Sequence, residues 1–303
     1  MKKLLLVMNP YAGTRKANPV LADIIYLFNC RGFEVTAHMT AGPGDGADVV
    51  AKKAAEMDLI VCAGGDGTFN ETLTGLRRAG VDIPVGYIPC GSTNDFAASL
   101  HLPMGIMPAA RAIMDGAPVR YDMGRFGDRY FSYVASFGAF TKTSYSTPQS
   151  VKNALGHLAY VLEGAKELFN IPVEHLRFET DHGVFEDDYI FGAVSNSTSV
   201  GGILTLDPSI VDMQDGRFEL MLVRPPKNPV ELANLITALS TQKYVSPMLT
   251  FQTVSRLTVH CPEGMSWTLD GEEAKAPACL EIENLHHSFR LMQDTRIREE
   301  NLL

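Results

Sequence analysis

A glycine-rich segment, GGDGTFNE at 64–71, combines residue types that suit the binding of a phosphate. Glycines let the backbone turn tightly and bring its N–H groups close to an anion. Thr68 and Glu71 have the spacing of a capping box, so a helix is expected to begin here, and a helix N-terminus attracts negative charge. The alternative is an ordinary strand-to-helix turn in which the glycines only make the bend, and these residues alone leave both interpretations open.

Asp66, in the middle of this segment, is harder to explain as turn chemistry. Its carboxylate would repel a phosphate held by neighbouring N–H groups unless a cation lay between them. Mg²⁺ prefers carboxylate and phosphate oxygens as ligands. Asp66 therefore hints at a magnesium ion near the phosphates.

The elements that must position these residues alternate between strand and helix over the first third of the chain. The pattern predicts strands at 4–8, 33–39, 59–62 and 84–88, and helices at 18–31, 46–57 and 68–78. Such alternation implies a parallel sheet with helices on both faces, whose ligands bind at the carboxyl ends of the strands. Two further small-residue turns, NPYAGT at 9–14 and GSTND at 91–95, also follow strands. Each alone is more often a plain loop, but the three turns are expected at one edge of the sheet.

After about residue 120 the pattern changes to strands separated by turn signals such as Asp215-Gly216 and Asp270-Gly271. Strands are predicted at 130–136, 173–179, 189–195, 218–223, 257–260 and 280–283, and helices at 150–170 and 229–240. We therefore predict two domains. An α/β domain covers 1–121, with the tail 291–303 as a candidate completion, and an antiparallel β-sandwich covers 122–290. The apolar stripe of the 150–170 helix fits core packing or the lip of an apolar entrance.

Composition and charge exclude several classes of protein. The chain has 303 residues, of which 46% are hydrophobic and 20% charged, as in a folded globular protein. A net charge of −9 disfavours nucleic acid and tight docking on anionic membrane. Five cysteines without a CxxC pair disfavour a disulfide framework or a zinc site and favour the cytoplasm. No apolar stretch approaches the 18 residues of a membrane span.

The motifs NP-x-x-G, GGDGT-x-NE and G-[ST]-T-ND, in this order and spacing, resemble the catalytic family of diacylglycerol kinases, which includes bacterial lipid kinases and sphingosine kinases. Two later stretches match as well. VGG at 200–202 with LDP at 206–208 and QDG at 214–216 resembles the family's glycine–proline–acidic-glycine stretch, and LDGE at 269–272 resembles its DGE motif. GGDGT alone would be weak, because NAD kinases and phosphofructokinases share it.

The resemblance implies an ATP-dependent lipid kinase that converts diacylglycerol to phosphatidic acid, with ATP and lipid meeting between a nucleotide-binding α/β domain and a β-sandwich. It implies that Glu272 is the general base and that Asp66 acts near the phosphates and the metal. The implied contacts to ATP are Asn9, Pro10, Tyr11, Ala12, Gly13, Thr40, Gly65, Asp66, Gly67, Thr68, Phe69, Asn70, Glu71 and Thr93. A structural Mg²⁺ would be held by the Asp215 carboxylate and the backbone carbonyls of Asp212 and Arg217. Asp122 would join a water-linked path from that metal.

Two positions depart from the family pattern. Ala12 replaces a common serine, so one hydroxyl contact to phosphate is in doubt, and Arg217 replaces a common apolar residue. Two other functions stay open: an NAD kinase-like enzyme acting on a soluble nucleotide, and a nucleotide-binding oxidoreductase or non-catalytic nucleotide sensor. The expected partner is a lipid substrate, met by transient peripheral contact with a membrane. A homodimer is also left open.

Overall fold

The structure is a computed structural model that describes residues 1–13, 17–138, 172–200 and 204–294. The chain divides into two units. The first unit consists of Met1–Met123 and the stretch that begins at His286, and the second unit is Gly124–Leu285. The helix expected at 150–170, the glycines at 201–202 and residues 295–303 of the expected C-terminal completion lie outside the described residues.

The first unit alternates between strands and helices as the sequence predicts. Its elements are β1 (Lys2–Met8), α1 (Leu21–Cys30), β2 (Phe33–Met39), α2 (Asp45–Lys53), β3 (Leu59–Gly64), α3 (Asp66–Ala79), β4 (Pro84–Pro89), α4 (Asp95–Ser99) and α5 (Ile106–Asp115). Strand β5 (Ala117–Phe126) leads into the second unit. The short helix α4 and the helix α5 are additions to the predicted set.

The strands of the first unit form a parallel sheet in the order β2-β1-β3-β4. On one face, Ile24 and Phe28 of α1 and Ile113 of α5 join the buried core formed by alternate residues of β1 and β3. On the other face, α3 packs against β3, with buried side chains that include Phe69, Leu73 and Leu76. The sheet is therefore covered by helices on both faces, and its carboxyl ends are left to the turns that follow β1, β3 and β4.

The second unit is made mostly of antiparallel strands. Its further elements are β6 (Arg129–Phe131), β7 (Val134–Gly138), β8 (Glu174–Thr180), β9 (Gly183–Tyr189), β10 (Phe191–Ser195), β11 (Ser199–Val200), β12 (Leu204–Thr205), β13 (Phe218–Val223), α6 (Pro229–Ser240), β14 (Leu249–Val254), β15 (Arg256–His260), β16 (Met265–Leu269), β17 (Glu272–Ala276) and β18 (Cys279–Gln293). The strand order is β14-β13-β10-β7-β16-β17 in one sheet and β18-β15-β8-β9 in the other. The predicted combination of an α/β domain and an antiparallel β-sandwich is confirmed.

The core of the second unit lies between its two sheets. Trp267, which is 1% exposed, packs edge-on against Phe126 and lies 4.8 Å from Phe137, measured between ring centroids. Phe178 from the other sheet contacts Phe137 with a centroid distance of 6.2 Å. Trp267 is therefore a packing residue of this core.

Strand β18 also belongs to both units, because its last part returns to the first unit. Arg290 and Leu291 pair in parallel with Pro84 and Val85 of β4, which adds a fifth strand to that sheet. The sequence pattern predicted only residues 280–283 of this 15-residue strand. In the described ranges, the helices are all too short or too polar to cross a bilayer.

Candidate functional site

Three turns at the carboxyl ends of β1, β3 and β4 lie against one another. The Cys90 N–H donates a hydrogen bond of 2.7 Å to the Gly64 carbonyl, which ties the third turn to the second. A Cβ added to Gly13 would lie 2.5 Å from the Cys90 carbonyl oxygen. Gly13 also has a φ of +52°, which favours glycine. The turns at 9–13, 64–67 and 90–94 therefore form one cluster, at the edge where the sequence places a phosphate site.

Asn9 links the first turn of this cluster to helix α3. Its Nδ2 donates to the Thr68 hydroxyl at 3.3 Å, and its Oδ1 accepts from the Tyr11 N–H at 2.9 Å. The second bond closes an Asx turn, which fixes the backbone of Pro10 and Tyr11. Ala12 is buried, while the Tyr11 ring is 67% exposed. Asn9 thus shapes the turn and orients the Thr68 side chain.

Glu71 binds a fourth segment, the loop that leads into α2. Its carboxylate accepts from the Gly44 N–H at 2.6 Å and from the Gly46 N–H at 3.1 Å. Helix α3 begins at Asp66 with Gly65 as its N-cap and without a side-chain cap. The predicted capping box is therefore wrong: Glu71 supplies acceptors to the N-terminus of α2, 25 to 27 residues away in sequence.

Thr40 precedes this loop and lies next to the first turn. Its N–H donates to the Met8 carbonyl at 2.8 Å, and the residue is 7% exposed. A Cβ added to Gly46 would lie 2.7 Å from Glu71 Oε2 and 3.7 Å from the Thr40 methyl group. The close approach of loop and carboxylate therefore depends on glycine at position 46.

Asp66 is 7% exposed, and its carboxylate orders the third turn. Its Oδ2 accepts from the Asp95 N–H at 3.0 Å, and its Oδ1 accepts from the Phe96 N–H at 3.3 Å. These two N–H groups belong to the first turn of α4, whose donors lack partners within the helix. Asp66 therefore joins the glycine-rich segment to the GSTND turn.

The other residues that were expected to contact the nucleotide differ in their exposure to solvent. Phe69 is fully buried, and its ring stacks on Tyr87 at 4.4 Å and contacts Phe96 at 4.7 Å, so it faces the core. Asn70 is partly exposed and accepts from the Thr74 hydroxyl at 3.2 Å. Thr93 is exposed, and Gly65 and Gly67 are partly exposed. The backbone of the glycine turn and the Thr93 hydroxyl are thus better placed for a ligand than the Phe69 ring.

The acidic turn of the second unit, residues 270–273, contains the carboxyl groups of Asp270, Glu272 and Glu273. The structure places these three side chains in different environments. Asp270 is 5% exposed, has a left-handed φ of +48°, and accepts four hydrogen bonds. The donors are the N–H and hydroxyl of Ser132, at 2.5 and 2.8 Å, and the N–H groups of Tyr133 and Val134, both at 3.0 Å. These bonds interrupt the strand predicted at 130–136, which is divided into β6 and β7. Asp270 is a structural anchor for the turn.

Glu272, two residues further along, is exposed at the start of β17. Its neighbour Glu273 forms an ion pair of 2.8 Å with Lys275, and this hydrogen bond lowers the pKa of the Glu273 carboxyl. Asp270 is buried and Glu273 is paired with Lys275, whereas Glu272 is exposed to solvent.

The loop expected to hold a structural metal lies in the second unit. Asp212 Oδ1 accepts from the Gln214 N–H at 3.0 Å, and Asp215 Oδ1 accepts from the Arg217 N–H at 2.8 Å. The Arg217 carbonyl accepts from Asn284 Nδ2 at 3.0 Å, and its second lone pair can still serve a ligand. The expected ligands, the Asp215 carboxylate and the backbone carbonyls of Asp212 and Arg217, are oxygens of one short loop, which suits a hard divalent cation.

Glu219 follows this loop and is 2% exposed. Burial, and then the negative charges of Asp215 and Asp212, raise the pKa of its carboxyl to about 8. Sequence reasoning missed Glu219, although a single acidic residue inside the apolar run FELMLV was a signal for it.

In the first unit, Asp122 is fully buried beside two histidines. Its Oδ1 accepts from His286 Nδ1 at 3.1 Å and from the His287 N–H at 2.7 Å. The two imidazole rings stack at 3.7 Å and are exposed. Both histidines lie within β18.

Comparison with known proteins decides the family. The family model of the diacylglycerol kinase catalytic domain matches residues 3–126. A diacylglycerol kinase from Bacillus subtilis strain 168 is 33% identical over 276 residues, which cover 90% of this chain and 90% of that protein. The chain belongs to the diacylglycerol kinase family. A second relative, the diacylglycerol kinase of Staphylococcus epidermidis strain RP62A, is 31% identical over 306 residues, covering 100% of this chain and 95% of the relative.

The crystal structure of a diacylglycerol kinase from Bacillus anthracis str. Sterne has the same fold. It superimposes with a TM-score of 0.77 at 22% identity and covers 98% of both chains.

Proposed function

We propose that this protein transfers the γ-phosphoryl group of ATP to the hydroxyl of diacylglycerol, which gives phosphatidic acid. The observation that carries the proposal is the cluster of three glycine-containing turns at one sheet edge, in a chain that is 33% identical to a diacylglycerol kinase over 90% of its length. The cluster supports binding of a nucleotide, and the relatives' names support the lipid acceptor.

In the nucleotide-binding role, the turns at 9–13, 64–67 and 90–94 would hold the phosphates of ATP. Backbone N–H groups and the N-terminus of α3 favour an anion there. Asn9 would hold the first turn in place through Thr68, and Asp66 would hold the third turn through the Asp95 and Phe96 N–H groups. When bound with ATP, Mg²⁺ neutralises charge on the transferring phosphoryl group.

Glu272 is the proposed general base. A lipid hydroxyl is a poor nucleophile, and a carboxylate within hydrogen-bond reach takes its proton as the new bond to phosphorus forms. Asp270 accepts four hydrogen bonds from residues 132–134 and so fixes the turn that carries Glu272. The two carboxylates of the DGE motif therefore divide into one positioning residue and one proposed catalytic residue.

A second divalent cation is proposed at the 212–217 loop, where it would stabilise the second unit without contacting the phosphoryl group. The Asp215 carboxylate and the carbonyls of Asp212 and Arg217 are the ligands. The protein's lipid acceptor lies in a bilayer, and a net charge of −9 makes lasting attachment to anionic lipid unfavourable. We therefore propose transient contact with the membrane surface during each turnover.

The test is a panel of acceptors with labelled ATP and Mg²⁺: diacylglycerol, a sphingoid base and a monoacylglycerol in mixed micelles, with NAD as the soluble acceptor. The expected product is labelled phosphatidic acid, identified by mass, from wild type and from Glu273→Gln, with strong loss in Glu272→Gln. Phosphorylation of NAD without any lipid product would overturn the proposal. Binding of ATP without turnover of any acceptor would favour a nucleotide sensor.

A further inference from the structure

Two adjacent histidines of β18, His286 and His287, hold their rings side by side. Successive residues of a regular strand point to opposite faces of the sheet. The two imidazole rings nevertheless stack with a centroid distance of 3.7 Å and an interplanar angle of 24°, and both residues are exposed. The strand therefore departs from regular geometry at this position.

A residue with a left-handed backbone causes this departure. His287 has a φ of +51°, which residues other than glycine rarely adopt. Before the pair, the buried residues of β18 include Leu280 and Ile282, and after the pair they include Phe289 and Leu291. The buried positions thus change from even to odd numbers, as the extra residue of a β-bulge requires. β-Bulges re-aim side chains and are frequent beside functional sites.

Asp122 lies on β5, which pairs with β18, and its carboxylate joins the two histidines. The residue is fully buried, and its Oδ1 accepts from the His287 N–H at 2.7 Å and lies 3.1 Å from His286 Nδ1. One ligand atom from each of the three side chains lies within 4.8 Å of the other two. Imidazole nitrogen suits Zn²⁺, Cu²⁺ and Ni²⁺, whereas Mg²⁺ prefers oxygen, so this ligand set favours a transition metal.

An ion pair between Asp122 and a protonated His286 accounts for only part of this arrangement. It explains the distance of 3.1 Å, but it gives no reason for a left-handed backbone that brings the His287 ring to the same place. A metal ion would use both rings. Two ligands of a tetrahedral zinc ion, with bonds of about 2.0 Å, are about 3.3 Å apart, which is close to the separation of Asp122 Oδ1 and His286 Nδ1.

We propose that Asp122, His286 and His287 bind a divalent transition-metal ion, with Zn²⁺ as the expected metal. The ion takes the place of the proton between His286 Nδ1 and Asp122 Oδ1, and that proton goes to solvent. A ring nitrogen of His287 is the third protein ligand, and water on the exposed side is the fourth. Zinc sites with three protein ligands and one open position have this composition. The His287 N–H continues to hold Oδ1, as hydrogen bonds to ligating carboxylates do.

This site differs from the proposed cation site at the 212–217 loop in its ligands and in its metal. The loop offers oxygen atoms alone, which suits Mg²⁺, whereas the site on β5 and β18 offers two nitrogens and one carboxylate. A bound ion would connect the two strands and stabilise the folded chain by mass action. The inference goes beyond the proposed lipid kinase activity and does not depend on it.

The test is a titration of the full chain with Co²⁺ and with Zn²⁺, after removal of metals with chelator and without a polyhistidine tag. The parent protein carries Cys30→Ser and Cys279→Ser, which remove the two exposed thiols as competing ligands. Visible absorption reports the coordination of Co²⁺, and thermal melting reports the stabilisation by Zn²⁺. The parent is expected to bind one ion of either metal at this site and to melt at a higher temperature with Zn²⁺.

Two histidine variants and one control locate the ion. His287→Asn keeps a side chain that tolerates the left-handed backbone, and His286→Ala removes the other ring. Each is expected to weaken the binding of both metals about tenfold or more. The matched control is His175→Ala, because His175 is an exposed histidine that pairs with the Asp188 carboxylate at 2.9 Å. The control should bind the metals as the parent does.

Equal metal affinity in the parent and both histidine variants would overturn the inference, and so would a parent that binds neither metal. Saturation by Mg²⁺ that is lost in the same two variants would contradict the choice of a transition metal. If His286→Ala fails to fold, His287→Asn carries the test. The titrations use neither ATP nor lipid, so their outcome is independent of the lipid kinase proposal.

Discussion

The backbones of Gly65 and Gly91 approach so closely that a Cβ on Gly91 would lie 2.6 Å from the Gly65 Cα. The two glycines come from different turns, 26 residues apart in sequence. Their contact sets the separation of the glycine-rich segment and the GSTND turn, and hence the shape of the proposed phosphate site.

Gly91→Ala is expected to force these turns apart. Overpacking of this kind costs about 1–3 kcal/mol of stability, and ATP affinity should fall at least about tenfold. Gly65→Val should nearly abolish ATP binding with a smaller effect on folding, because its Cβ would lie 3.2 Å from the Gly91 Cα. Calorimetry with ATP and thermal melting separate the two effects. Gly42→Ala, where no atom lies within 4 Å of the added Cβ, is the control. Unchanged ATP affinity in Gly65→Val would place the phosphates elsewhere.

Asp66→Ala should lower turnover more than nucleotide affinity. The substitution leaves the Asp95 and Phe96 N–H groups without their acceptor, which costs about 1–3 kcal/mol of stability. Steady-state kinetics, ATP titration and melting are measured together, with the exposed Asp128→Ala as the control. Wild-type kcat in Asp66→Ala would show that the carboxylate is only structural.

Substitutions in the DGE turn should separate catalysis from structure. Glu272→Gln keeps the side-chain shape and removes the base, so turnover should fall about 10²-fold or more while ATP affinity and the melting temperature stay unchanged. Asp270→Asn should lose about 1.5–3 kcal/mol of stability, because a buried charged acceptor of four hydrogen bonds is lost. Glu273→Gln is the control. Near wild-type turnover in Glu272→Gln would exclude it as the base.

Glu71→Gln should loosen the loop that leads into α2. An amide offers one acceptor where the carboxylate offers two, so the Gly44 or the Gly46 N–H loses its partner, at a cost of about 1 kcal/mol. Hydrogen exchange at these two amides should accelerate, and ATP affinity should fall because Thr40 borders the loop. The exposed Glu56→Gln provides the control. Unchanged exchange at Gly44 and Gly46 would show that the loop keeps its conformation without the Glu71 carboxylate.

The five thiols are expected to react in three classes. Cys30 and Cys279 are exposed and should react rapidly with a disulfide reagent. Cys62 is buried, and burial raises the pKa of Cys90 to about 11, so both should react only after denaturation, since the thiolate is the nucleophile. Burial likewise raises the pKa of the half-buried Cys261 to about 11, which predicts slow reaction. Rapid reaction of Cys62 or Cys90 in the native protein would contradict their burial in β3 and in the third turn. The double variant Cys30→Ser/Cys279→Ser should lose the fast phase.

Strongly periodic segments were predictable from the sequence, and long-range polar contacts were not. The helix at 229–240 matches α6, and the strand at 33–39 matches β2, because their patterns are local. The spacing of Thr68 and Glu71 fits a capping box as well as a contact to a distant loop, and only the fold distinguishes the two. The break at Ser132 has its cause in Asp270, 138 residues further along the chain.

In the candidate site, the positions of the motifs were likewise predictable from the sequence, and the roles of the individual acidic residues were not. The family motifs located the turns and Glu272, but the function of each acidic residue depends on burial. Asp270 and Glu272 are two residues apart and chemically similar, yet one is an anchor and the other is exposed. Glu219 belongs to no motif, and only its burial in the folded chain sets it apart from other acidic residues.

The parallel pairing of β18 with β4 has a consequence for the design of protein fragments. A fragment that ends at residue 126, where the family model ends, would lack Arg290 and Leu291 and would leave β4 as an uncovered edge strand. Uncovered edges invite self-association. A fragment that contains only the first unit therefore has to be built by excising 124–285 and joining the two remaining segments with a short linker.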